Sequence, residues 1–202
     1  MAGWSYANLL NGGAPWQTTQ GTALSASAST ATISPQATGP QDFVLPGQQL
    51  GGGLQWYQGM SLMVEAHGII GSGGTASNLT VFLAAGVSAT LGTTLSTTAA
   101  IALGTGSLSS LNWHLWAQID VVGLRTDANP FLATEGSLVI GGTSASPALG
   151  TANGLVVGLP FTNVNGSTLS PYTTQTAIGL RATLSAAFGS IQCNRFKIFQ
   201  LN

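Results

Sequence analysis

Charge is what this chain lacks most. Of 202 residues, 4% are Asp, Glu, Lys or Arg, four basic and five acidic, where an ordinary soluble domain carries roughly a quarter. So few ions cannot clothe a free 20.3 kDa globule in the usual way. Ser, Thr, Asn, Gln and backbone must supply the polar surface, and a net charge of −1 repels other copies only weakly. Such an outside is best explained if much of it becomes the inside of an assembly. The same scarcity speaks against a nucleic-acid partner, because counterion release needs clustered cations. Here Arg125, Arg181, Arg195 and Lys197 are scattered, with only the last two close together.

Cysteine is nearly absent too. Cys193 stands alone, which excludes an intrachain disulfide and a multi-cysteine zinc site. A chain this long buries roughly 70% of its unfolded surface without such staples. Long apolar runs are missing although the mean hydropathy is +0.34. Gly, Ser, Thr and Asn interrupt every stretch before it reaches the ~18–20 residues of a spanning helix, so no membrane partner is expected. The first ten residues have neither a basic nor a long apolar region, and no signal peptide is expected. Also missing is any 10–15 residue amphipathic helix with a cap.

What is present is alternation. Residues 59–70 and 111–122 are two long period-two runs, each roughly 40 Å if straight. Shorter ones occupy 42–45, 78–86, 93–103, 136–141, 154–159, 176–186 and 191–201, with Gly and Pro clusters between. One helical turn is expected near 127–133. Eight to ten strands with uneven loops predict an all-β, two-sheet antiparallel sandwich of the jelly-roll kind over residues 41–202. Residues 1–40 read as an extended arm, with a first strand near 22–33. Its small side chains are poor core anchors, and Pro35 and Gly39-Pro40 interrupt it.

The period assigns faces. Leu111, Trp113, Leu115, Ala117, Ile119 and Val121 go inward, as do Met60, Leu62, Val64 and Ala66, and Ile178, Leu180, Ala182 and Leu184. Outward go Glu65, His67, His114, Trp116, Gln118 and Asp120, which form a polar patch if the two long strands are neighbours. These six are the candidate subunit interface, fixing register between copies. The rival readings are an acid–base pair or a metal site. With only two histidines in the chain, a three-ligand site would need a carboxylate or a second copy. No cofactor, metal or catalytic residue is expected. No nucleophile elbow, phosphate loop, dinucleotide fingerprint or His-Glu-x-x-His motif occurs. Trp56, Tyr57 and Trp116 are candidates for a flat glycan platform. The arm's Trp4, Tyr6, Leu9, Leu10 and Trp16 are candidates for contact with a larger shell.

Gly/Ser/Thr/Ala-rich strands, an aromatic-tipped arm and a closing hairpin from Ile178 through Leu184 and from Ile191 to Phe199 resemble the minor capsid or decoration proteins of tailed bacteriophages. The resemblance lies in texture, over about residues 42–202, so no residue role transfers by position. It implies a homotrimeric jelly roll made in the host cytoplasm. On the outer surface of the virion such a protein meets the major capsid protein and cements the head. Phage tail and fibre modules that bind receptors or carbohydrates share the same texture.

Overall fold

The computed structural model describes residues 16–17, 24–25, 31–32, 58–72, 77–87, 91–103, 108–124, 130–141, 155–165, 176–185 and 189–201. Its strands are β1 (Trp16–Gln17), β2 (Leu24–Ser25), β3 (Ala31–Thr32), β4 (Ser61–Ser72), β5 (Ser77–Val87), β6 (Thr93–Thr97), β7 (Ile101–Leu103), β8 (Leu108–Leu124), β9 (Pro130–Ile140), β10 (Leu155–Asn165), β11 (Thr176–Leu184) and β12 (Gly189–Gln200). The larger sheet runs β1-β12-β4-β8-β9-β10, with β2 also on β12. The smaller runs β3-β11-β5-β6, with β7 also on β5. Every pairing is antiparallel. The result is the expected all-β sandwich. Among the long strands, the first pairs with the last (β4 with β12) and the second with the second-last (β5 with β11), the two outer nested pairs of a jelly roll. The strands β8-β9-β10 run as a meander.

Strict alternation makes the core. On β4, Leu62, Val64, Ala66 and Ile70 are fully buried, while Met63, Glu65, His67 and Ile69 are half-buried on the other face. Trp113, Leu115, Ala117, Ile119 and Val121 do the same on β8, and Ile178, Leu180, Ala182 and Leu184 face them from β11. Each such Leu or Ile contributes about 1.5–3 kcal/mol over leaving it in water. Leu111 is the exception in the inward set, being only partly buried.

Two glycines fix the geometry beside the long strands. Gly59 has φ +85°, a conformation that side chains avoid. Its N–H donates to the Val121 carbonyl at 2.8 Å, so the chain enters β4 already docked on β8. Gly68 leaves room for the Trp113 indole, whose Nε1–H is shared between the carbonyls of Ile69 (3.3 Å) and Gln192 (3.2 Å). A buried indole N–H needs such a partner. At the other end, a hydroxyl seam ties the sheets together. Thr134 Oγ1 and Thr162 Oγ1 lie 2.7 Å apart, within 3.0 and 2.6 Å of the Leu95 carbonyl across the core.

Three expectations are corrected. The closing hairpin is not one, because β11 and β12 belong to different sheets. Their apolar faces meet across the core instead of lying side by side, which buries Ile178 and Leu180 against the face that carries Phe196 and Ile198. The helical turn near 127–133 gives way from residue 130 onward to strand. Pro130 and Phe131 pair with Leu124 and Gly123, and a strand's first position tolerates proline. In the arm, the 22–33 run holds two short pairings, not one strand: β2 on β12 and β3 on β11, both along the edges of the chain's own sandwich. The 42–45 run lies outside the described residues.

Candidate functional site

The register of the two long strands builds the site. On β4 and β8, His67 sits opposite His114, Glu65 opposite Trp116, Met63 opposite Gln118 and Ser61 opposite Asp120. On the other flank, β12 sets Lys197 opposite Glu65 and Arg195 opposite His67. β9 sets Val139 opposite His114 and Ser137 opposite Trp116. Side chains directly opposite on one face lie within contact distance. The centre of the larger sheet's outer face therefore gathers both histidines of the chain and one carboxylate.

Glu65 is the hub. Its Oε1 is 3.0 Å from His67 Nε2 and 3.6 Å from His114 Nε2, and its Oε2 is 3.9 Å from Lys197 Nζ. The first is a hydrogen bond. At 3.6 Å the second is an electrostatic contact only. The imidazoles stack, with centroids 4.5 Å apart and planes 17° from parallel. The His114 side chain is 41% exposed, yet its Nε2 is covered and has no hydrogen-bond partner among the described residues. Burial and the adjacent His67 ring hold His114 below the usual histidine range, outweighing the Glu65 carboxylate, which pulls the other way. Lys197 also lies 5.8 Å above the Phe199 ring.

Asp120 does not join this cluster. It accepts a hydrogen bond from Ser61 Oγ and two from Gln118 Nε2, at 2.9 and 3.0 Å. Of the six interface candidates, Glu65, His67 and His114 thus converge, Trp116 stands beside Glu65, and Gln118 and Asp120 make a second polar knot. Trp116 is 41% exposed, with Ser137 and Glu65 as its strand neighbours. Trp4, Tyr6, Leu9, Leu10, Trp56 and Tyr57 lie outside the described residues, and Trp16 is placed only by its backbone pairing with Ile198. Lys197 was not singled out from sequence, because only the β4–β12 register brings it to Glu65. Also missed were the exposed Val156 (68%) and Phe161 (63%) on β10, which the strand pattern leaves as ordinary apolar positions.

No family model and no curated protein matches this chain. Weak likenesses to solved structures exist. One is the CBM2 module of the evolved Dit of Lactobacillus casei BL23 phage J-1, at 10% identity and TM-score 0.27, covering 91% of this chain and 98% of that one. A second is infectious bursal disease virus Gt strain, at 13% and 0.24, covering 88% of this chain and 31% of that one. A third is a legume lectin-like domain from Entamoeba histolytica, at 8% and 0.24, covering 92% and 90%. Likeness at this level carries no argument about function. The class the molecule belongs to, an antiparallel β-sandwich, stands on its own strand pairings.

Proposed function

We propose that this chain is a structural virion protein that decorates the outside of a phage head as a homotrimer and cements it. One observation carries the reading: an almost ion-free surface that also exposes large apolar side chains. Trp116, Val122, Phe131, Val156 and Phe161 are all more than a third exposed on β8, β9 and β10, on a chain with nine ordinary charges. Scattered apolar residues are common on any surface, but here few charges stand between them. The outer face of the larger sheet is where copies meet, and Glu65, His67, His114, Trp116, Gln118 and Asp120 set their register. The arm, with Trp4, Tyr6, Leu9, Leu10 and Trp16, supplies the contact to the major capsid protein. Many weak contacts add up once the shell presents a lattice of sites, and contacts with few ions are little affected by salt.

Deleting residues 1–20 tests the arm. The shortened protein is expected to fold and to lose binding to purified empty heads. Unchanged occupancy would refute the arm's role. A second reading, a receptor- or carbohydrate-binding module of a phage tail or fibre, is favoured by one feature. Trp116 offers an exposed ring on the outer face of the larger sheet, with Glu65 and Ser137 beside it. That reading predicts glycan binding abolished by Trp116→Ala. Glycan silence together with binding to heads decides for cement.

A further inference from the structure

We infer that Glu65, His67 and His114 form a binding site for one divalent transition-metal ion of the zinc class. The three groups offer one ligand atom each, all within 4.8 Å of one another. Two imidazole nitrogens and a carboxylate oxygen are the donor set such ions favour, whereas magnesium and calcium call for oxygen. The spacing fits as well. Tetrahedral ligands at ~2.0–2.1 Å from zinc stand about 3.3–3.4 Å apart. Here the two nitrogens lie 3.0 and 3.6 Å from the shared oxygen.

The metal-free cluster has an unsolved hydrogen-bond problem. Both Nε2 atoms converge on Glu65 Oε1, and His67 holds the one good hydrogen bond. Nε2 of His114 is covered and, among the described residues, unpartnered. With a proton it lacks an acceptor at bonding distance. Without one, its lone pair faces a carboxylate oxygen. A cation at the point of convergence satisfies all three atoms at once. The rings are stacked as they stand, so shared coordination requires them to turn about χ2, a soft torsion for histidine. Placement on the middle of a paired sheet fixes the Cα positions: Glu65 and His67 are two apart on β4, and His114 is directly opposite His67 on β8. Lys197, 3.9 Å from the far carboxylate oxygen, opposes a cation but does not engage Oε1. All three donors come from one chain, their side chains are partly exposed in the isolated chain, and water completes the shell there. The same three residues lie on the face proposed for contact between copies, and the titration reads the ion site in the isolated chain whether or not copies meet there.

The test uses the untagged full chain, freed of metal with EDTA and titrated with Zn²⁺ alone by calorimetry. One ion per chain is expected, with micromolar or tighter affinity. Loss of one ligand in Glu65→Gln, His67→Ala or His114→Ala is expected to weaken binding by at least about tenfold, since even supporting residues of metal sites cost that much. Glu135→Gln, an exposed carboxylate on β9 outside the cluster, is expected to bind as the unaltered chain does. Co²⁺ gives a second readout without substitution: a visible spectrum of nitrogen and oxygen ligation with no thiolate band. Absence of Zn²⁺ heat and of a Co²⁺ spectrum overturns the inference, as does Zn²⁺ affinity unchanged from the unaltered chain in folded His67→Ala and His114→Ala.

Discussion

Gly68→Ala tests the packing that holds the histidine strand in place. A Cβ at position 68 would lie 1.9 Å from the Gln192 carbonyl oxygen and 2.6 Å from Cε2 and Cζ2 of Trp113. The first neighbour is backbone of β12 and the second a buried indole, so neither can swing aside. Overpacking of this kind costs about 1–3 kcal/mol. Displacing the indole also breaks the shared Nε1–H bond to Ile69 and Gln192, worth about 0.5–1.5 kcal/mol. Together these give about 3 kcal/mol. At ~2–4 °C per kcal/mol for a chain of this size, Tm falls by roughly 6–12 °C. The matched control is Gly158→Ala on β10, where an added Cβ meets nothing within 4 Å. It should leave Tm unchanged or slightly raised. Calorimetry or thermal circular dichroism on the three proteins decides. Equal Tm values for the two variants would refute the close approach of Trp113 to Gly68, and with it the register that brings His67 to His114.

Two further outcomes follow from the same structure. Burial pushes the Cys193 thiol up to about 12, so a thiol-exchange reagent at mild alkaline pH is expected to leave the folded chain untouched and to label it fully in urea; rapid labelling of the folded chain would contradict the buried position. The fold holds His114 below the usual histidine range, so the unfolded chain takes up a proton that the folded chain resists. Stability in EDTA is therefore full above about pH 6.5 and falls as pH drops below it, levelling off once the folded His114 is protonated. Glu65 and His67 on β4 and Lys197 on β12 face this group. A pH series of urea midpoints above the carboxylate range is expected to slope in the unaltered chain and to flatten in His114→Ala; identical slopes would contradict the assignment.

The faces of the long strands were legible from the chain alone. In 59–70 and 111–122 every second side chain is apolar, and a one-residue slip would expose the whole set, so the pattern admits only one orientation. Glu65 with His67 followed directly, being two apart on one strand. Their meeting with His114 did not follow, because nothing local states which strand lies next to β4. Lys197 and Asp120 show the same limit from opposite sides. Lys197 is more than a hundred residues from Glu65 in sequence yet its strand neighbour. Asp120 shares a face with His114 but is held by Ser61 and Gln118. The strands β11 and β12 read as a hairpin because each has one apolar face and a short connection. That description suits a crossing between sheets equally well. The start of β9 was hidden by Pro130, which signals a turn from sequence and occupies a strand's first position in the fold.

The central claim is that so ion-poor a surface is built to meet other protein. The most direct measurement is the native mass of the isolated full chain by sedimentation across a wide concentration range, repeated with empty heads present. A trimer that joins the heads is the predicted result. A strict monomer at high concentration that never enters a larger particle would contradict it.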